Sequence, residues 1–290
     1  MIQYQLNHYI LHVVASGVNC IARLAYIEWG SPDAYPVICV HGLTRNAHDF
    51  DYIAAELAKN FRVICIDVIG RGRSEYATNL SYYSYKQYVT DLHNFLTALN
   101  INEAYYIGTS MGGIIGMIYA STFRGTIKKM VLNDIGAYIP AKALAKIAEY
   151  VSKYQVFASF AEAELYLKEI FKNFGINSED KWQHFTEHSI IQNDDGRYRL
   201  NYDSQISTIF KSPATYATDA NLWGFWNTLK KTLPILVLRG EFSNILSMIT
   251  VAQMKITHPN CTEIVIKNVG HAPSLMDEEQ ISLVKSWLLN

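Results

Sequence analysis

Net charge is almost absent from this chain: 25 lysines and arginines stand against 26 aspartates and glutamates, a formal balance of −1 over 290 residues. A protein that grips nucleic acid or an anionic membrane surface needs a basic excess, and none is present. Cysteine is scarce too. The four (Cys20, Cys39, Cys65, Cys261) are scattered, and Cys39 and Cys65 sit inside apolar runs, so they read as buried thiols in a reducing compartment and not as a disulfide framework. Apolar runs of membrane-spanning length are missing. The first residues, MIQYQLNHYILHVV, lack the basic region of a secretion signal. Internal repeats and low-complexity tracts are missing as well. The expectation is a soluble cytoplasmic protein with no nucleic-acid or membrane partner.

What is present is a core. Half of the residues are apolar, and the length suffices for one large domain or two small ones. Tyr9–Ser16 and Cys20–Trp29 read as a hairpin around Gly17-Val18-Asn19. Short continuous apolar runs follow, of the kind that a strand buried on both faces requires: Pro36–Val40, Phe61–Ile66, Tyr105–Ile107 and Lys129–Asn133. Between them lie helical patterns over Asp49–Lys59 and after Ser84, an N-cap for a helix carrying Tyr88, Leu92, Phe95, Leu96 and Leu99. Alternating strand and helix means a parallel sheet covered on both faces. From about residue 138 to 226 the pattern changes to amphipathic helices such as AKALAKIAEYVSKY, with a small exposed hairpin at Asp194-Asp195-Gly196. The sheet resumes at Pro234–Leu238 and Glu263–Ile266, and a helix from about Glu278 to Leu289 closes the chain. The predicted organisation is a core of residues 1–137 and 227–290 with a helical cap, 138–226, lying over the strand ends.

The chemistry centres on YYIGTSMGGIIGMIY, residues 105–119. Gly108-Thr109-Ser110-Met111-Gly112 is G-x-S-x-G between a strand and a helix, the setting of a nucleophile elbow. A serine exposed at the top of a strand needs a sharp, strained turn, and side chains two residues to either side would crowd it. A serine nucleophile also needs a histidine to take its proton and return it to the leaving group. Of nine histidines, His271 stands in the tight loop Val269-Gly270-His271-Ala272-Pro273 just after the last strand. Backbone N–H groups of Met111 and Leu43 are the candidates for an oxyanion hole, with Gly42 letting the backbone come close. His41 reads as a structural histidine that fixes this loop.

Together, His41-Gly42, Asp67-x-x-Gly70-x-Gly72-x-Ser74, Gly108-x-Ser110-Met111-Gly112-Gly113 and Gly270-His271 resemble the α/β-hydrolase fold family. More narrowly, the chain is similar to bacterial cap-bearing carboxylesterases and to enol-lactonase-like or C–C-bond hydrolases. The resemblance implies a mostly parallel eight-stranded sheet with helices on both faces, no cofactor, and a Ser–acid–His triad under a helical cap insertion. It also exposes a departure: the segment LRGEFSNIL places Asn244 where the family carries its aspartate. Asparagine can hydrogen-bond an imidazole but brings no negative charge, and in the serine-protease template such a swap costs about 10⁴ in turnover. Asp134, at the end of the preceding strand, and Glu241, beside the usual position, are the charged alternatives. An impaired site with Asn244 at a vacant post is the third reading.

Two further patterns carry less weight. His184-x-x-Glu187-His188 matches a zinc-type spacing on a helix, but it reads as a chance match on a solvated cap face, and no metal is expected. Gly70-Arg71-Gly72-Arg73-Ser74 lacks the spacing of a dinucleotide loop, so its arginines read as solvated or paired. The expected function is a serine hydrolase of small carboxylic esters working through an acyl-enzyme on Ser110. A C–C-bond or enol-lactone hydrolase or an acyltransferase on the same site is the alternative chemistry, and a catalytically impaired binding protein is the alternative of another class.

Overall fold

A computed structural model of the chain describes residues 4–15, 18–151, 153–210 and 217–290. Its centre is an eight-stranded sheet whose strands are, in chain order, β1 Gln5–Ala15, β2 Val18–Trp29, β3 Pro36–Val40, β4 Arg62–Ile66, β5 Ala104–Thr109, β6 Ile127–Asn133, β7 Ile235–Gly240 and β8 Cys261–Ile266. Their spatial order is β1-β2-β4-β3-β5-β6-β7-β8. β2 pairs antiparallel with both β1 and β4, and every pairing from β4 through β8 is parallel. The expected hairpin is therefore the sheet's edge; Ser16 and Gly17 of its turn lie outside the described residues.

The apolar runs are continuous because both sheet faces are covered. Ile38 and Val40, Ile64 and Ile66, Tyr106, Met130 and Leu132 pack on one face against Leu92 and Phe95 of α2 (Tyr85–Ala98) and Met117 of α3 (Met111–Thr122). Their neighbours Val37, Cys39, Val63, Cys65, Ile107 and Val131 point the other way. They meet Ile53 and Leu57 of α1 (Asp51–Leu57) and Ile281, Val284 and Leu288 near the C-terminus. This is the period-two alternation of a strand with apolar residues on both sides. Ser84 caps α2 as expected, its hydroxyl accepting from the Gln87 N–H. The helix expected over Asp49–Lys59 is shorter and begins with a 3₁₀ turn, Ala47–Phe50, because Asn46 accepts the His48 N–H and starts the turn early.

Between β6 and β7 the chain leaves the sheet. This inserted segment carries α4 (Ala141–Val151), α5 (Phe160–Ile170), α6 (Glu179–Ser189) and α7 (Trp223–Thr228). The expected hairpin is also there: Ile190–Gln192 pairs antiparallel with Tyr198–Leu200 around Asp194-Asp195-Gly196. After β7 come α8 (Met248–Thr257) and, after β8, α9 (Glu278–Leu289). Among the described residues, no helix is long and apolar enough to cross a membrane.

Candidate active site

Ser110 stands between β5 and α3 with φ +50° and ψ −113°, a strained conformation that non-glycine residues adopt only where the surroundings hold them there. The flanking glycines make this possible. A Cβ on Gly112 would lie 1.9 Å from the Val40 carbonyl oxygen, and one on Gly108 would lie 2.6 Å from Gly112 itself. α3 can therefore press against β3 only if residue 112 has no side chain. Although Ser110 occupies the N-cap position of α3, its hydroxyl makes no capping bond, which leaves it free for another partner.

That partner is His271. Its Nε2 lies 2.9 Å from Ser110 Oγ, and its Nδ1 lies 2.7 Å from Asp134 Oδ2. The carboxylate can only accept from Nδ1–H, so Nε2 is left as the acceptor for the serine proton. Asp134 is fully buried and held on several sides. Its Oδ1 accepts the Gly240 N–H at 2.7 Å, its Oδ2 also accepts the Ser243 hydroxyl at 2.6 Å, and its own N–H donates to Leu238. Asn133, one residue earlier, ties the elbow to the histidine loop through Thr109 Oγ1 at 3.0 Å and the Pro273 carbonyl at 2.9 Å. Gly240 permits the close pass of that loop, since a Cβ there would sit 2.1 Å from the Gly270 carbonyl oxygen.

Neither Glu241 nor Asn244 hydrogen-bonds His271, whose partners among the described residues are Asp134 and Ser110. Glu241 pairs with Lys267 at 2.9 Å and accepts the Asn268 N–H at 3.0 Å, contacts that hold its carboxyl below the usual range. Asn244 is exposed and lines the cavity over Ser110. The residue that sequence reasoning missed in this segment is Ser243, one position before Asn244, because nothing local marks a hydroxyl that bonds a carboxylate 109 residues away.

Leu43 lines the cavity beside Ser110 and Met111 follows Ser110 in the chain, and neither N–H donates to any described residue. The Leu43 loop is held from behind by Arg71, whose Nε donates to the Leu43 carbonyl at 2.8 Å while Nη1 donates to Ile69 O and Tyr88 Oη. Arg71 is fully buried, so of its two expected readings, solvated or paired, the first is ruled out, and its partners are carbonyls and a phenol. The Gly-Arg-Gly-Arg context resembles an exposed turn, but Gly72 at φ +58° wraps the chain around Asp67, and this carries Arg71 inward. Asp67 accepts the Ala47 and Arg73 N–H groups. His41 is structural as expected: Nδ1 donates to Gly42 O at 2.6 Å and Nε2 accepts the Val68 N–H at 3.0 Å. Complete burial pushes its imidazole down to about 3, so it stays neutral.

His184 and His188 also differ from expectation. The outer side of α6, Glu187 included, is exposed, but the side with the two histidines packs on the loop before α1. His188 stacks on the His48 ring at 3.6 Å, and His184 Nε2 lies 3.2 Å from Asp51 Oδ2. His48 donates from Nδ1 to Asp51 at 2.7 Å and takes a hydrogen bond from Arg73 on Nε2. Burial, with the neighbouring imidazoles, pushes His188 down to about 3. The pattern joins the inserted segment to the sheet. His48, Asp51 and His188 bring ligand-type atoms within 4.8 Å of one another.

Above Ser110 and His271 lies a cavity of about 210 Å³. Leu43, Thr44 and Arg45 line it from the sheet side, α4 and α5 line it from the inserted segment, and Phe242, Asn244 and Ile245 line it from the loop after β7. The model of the α/β hydrolase fold family matches residues 35–277.

The chain belongs to the α/β-hydrolase fold family.

Some of its relatives span nearly its whole length. A 3-hydroxybutyrate-oligomer hydrolase from Cupriavidus necator is 36% identical over 283 residues, covering 93% of this chain and 96% of that one. Among solved structures, a Rickettsia typhi protein superposes with a TM-score of 0.91 at 39% identity, covering 98% of this chain and 99% of its own. An α/β hydrolase from Novosphingobium aromaticivorans gives 0.87 at 32% identity over 100% and 99%. This hydrolase fold is thus shared along the full chain, inserted segment included.

Proposed function

We propose that the protein is a serine hydrolase that cleaves carboxylic esters through an acyl-enzyme on Ser110, with short oligomers of 3-hydroxybutyrate as its substrate class. The observation that carries the reading is the unbroken line Ser110–His271–Asp134, at 2.9 and 2.7 Å. The substrate class comes from the Cupriavidus necator relative, which matches this chain nearly end to end. The cavity supports a small substrate, since about 210 Å³ falls below the roughly 300–1,000 Å³ of sites for drug-sized ligands.

The reaction follows from the geometry. Ser110 Oγ attacks the ester carbonyl as His271 Nε2 takes its proton, and the Leu43 and Met111 N–H groups receive the oxyanion. Asp134 holds the Nδ1–H tautomer and stabilises the imidazolium. The C–O bond then breaks, the alkoxide takes the proton from Nε2, and water repeats the sequence to free the acyl group and Ser110. In this reading the inserted segment is a cap that closes the cavity, and Asn244 has no part in the proton relay. An impaired binding protein would need a histidine without an acid, and the contact to Asp134 supports the active reading.

The test is hydrolysis of the 3-hydroxybutyrate dimer and trimer, with p-nitrophenyl butyrate alongside. Ser110→Ala should lower kcat by about 10⁴–10⁶. Activity persisting in that variant would remove the acyl-enzyme, and turnover of p-nitrophenyl butyrate without oligomer cleavage would remove the substrate class.

A further inference from the structure

The cavity over Ser110 is lined by two cations and one carboxylate besides His271: Arg45, Lys146 and Asp49. Arg45 and Asp49 neutralise each other, with Nε at 2.9 and 3.1 Å from the two carboxylate oxygens and Nη2 at 2.5 Å from Oδ1. The guanidinium is further fixed by Ser189 and by the Phe185 ring, 3.6 Å beneath it. Lys146 has no such partner. It stands on α4 with Ala143, Ile147 and Tyr150, residues three and four apart that share the face lining the cavity. Among the described residues it forms no ion pair. The lining thus carries one uncompensated positive charge.

Asn244 preserves that charge. Asp134 reaches His271 from the end of β6, so position 244 owes nothing to the histidine and faces the cavity as a neutral amide. Lys146 and Asn244 are both exposed at this lining, and a carboxylate at 244 would add a negative charge that offsets the lysine's. Asn173, also in the lining, is neutral as well.

We infer that Lys146 forms a carboxylate subsite, kept electrostatically open by Asn244, that receives the free acid end of an ester substrate. The inference rests on the ester-hydrolase reading above and specifies which end of the oligomer enters. A 3-hydroxy-acid oligomer is neutral along its length and ends in one carboxylate, carried by the unit whose 3-oxygen forms the last ester bond. Lys146 and Ser110 line one cavity, and the inferred pose sets the carboxylate at the first and the last ester at the second. Ser110 Oγ bonds to the carbonyl carbon, and the ester C–O bond breaks. The departing 3-oxygen takes the proton held on His271 Nε2, so the terminal hydroxy acid leaves first. The shortened chain stays on Ser110 until water releases it with a new carboxylate, ready for another round.

The experiment compares kcat/KM for the free-acid 3-hydroxybutyrate dimer with that for its methyl ester. The acid should be preferred by about tenfold, the scale of one charge-assisted contact, and the preference should shrink as salt is raised. Lys146→Met should abolish the acid-to-ester ratio and Lys146→Arg should keep it, while Asn244→Asp should lower it. Equal turnover of acid and ester by the unaltered protein, or a ratio unmoved in Lys146→Met, overturns the subsite and leaves the ester-hydrolase reading standing. Failure of both dimers, with p-nitrophenyl butyrate still turned over, removes the oligomer reading and this inference with it.

Discussion

Asp134 is the residue on which the site turns, and its surroundings explain how. At φ +54° it sits in a left-handed conformation at the end of β6, where its carboxylate faces the ends of β7 and the histidine loop instead of continuing the strand. Three donors converge on it: Gly240 N–H, Ser243 Oγ and His271 Nδ1. Asp134→Asn should lower kcat by about 10⁴ on p-nitrophenyl butyrate, because an amide favours the wrong imidazole tautomer. Asn244→Asp made on that background should not restore it, as assayed by steady-state turnover and by labelling with a fluorophosphonate; restored labelling would move the acid to position 244. Ser110 and His271, the proposed nucleophile and base, were legible in the sequence because that chemistry demands local patterns, glycines around the serine and a tight loop around the histidine. Asp134 stood first among the charged candidates for the acid, but pattern could not decide between it and an impaired site, since its contact spans 137 residues and depends on how two strand ends lie together. Arg71 and Ser243 were illegible for the same reason.

At the scale of elements, burial on both faces explains both the strands and the cost of polar groups placed among them. The alternating neighbours of β3, β4 and β6 feed two separate cores, which is why their sequences read as unbroken apolar runs. α2 breaks the rule with Asp91, buried against that core with the Gln87 amide at 2.8 Å. Desolvation pushes its carboxyl up to about 6. Because the folded value is raised, the protein is unpenalised well below pH 4, loses stability as pH rises from 4 to 6, and carries the full cost above. That cost is on the order of 3 kcal/mol for a shift of this size. Asp91→Asn keeps the neutral shape, so it should change Tm little at pH 4 and raise it by several degrees at pH 7. A gain that does not depend on pH would show that packing, not ionisation, is responsible. In α3 the constraint is steric instead. Gly112→Ala should destabilise by more than about 3 kcal/mol, because the Val40 carbonyl leaves no room for a methyl group.

For the whole molecule, the question is how the inserted segment is held over the strand ends, since the cavity exists only between the two. Part of the answer lies away from the cavity, where α6 stacks His188 on His48 and sets His184 beside Asp51. Burial keeps His188 neutral down to about 3. With the folded value lowered, the contribution is intact above about pH 6.5, where the histidine is neutral folded or unfolded. It is lost as pH falls from there toward 3, by about 1.4 kcal/mol per pH unit. His41 slopes the same way, whereas Asp67 and Asp91, whose carboxyls burial raises, slope oppositely. The pH profile of the unaltered protein therefore mixes signs, and the variant isolates the junction. His188→Gln cannot be protonated, so its Tm relative to the unaltered protein should rise between pH 7 and pH 5. If stacking on His48 is what seats α6, the same variant should lose stability at pH 7, where no proton is at stake. A Tm difference that stays constant across this range would show that His188 titrates freely, and the junction would then not depend on its neutrality.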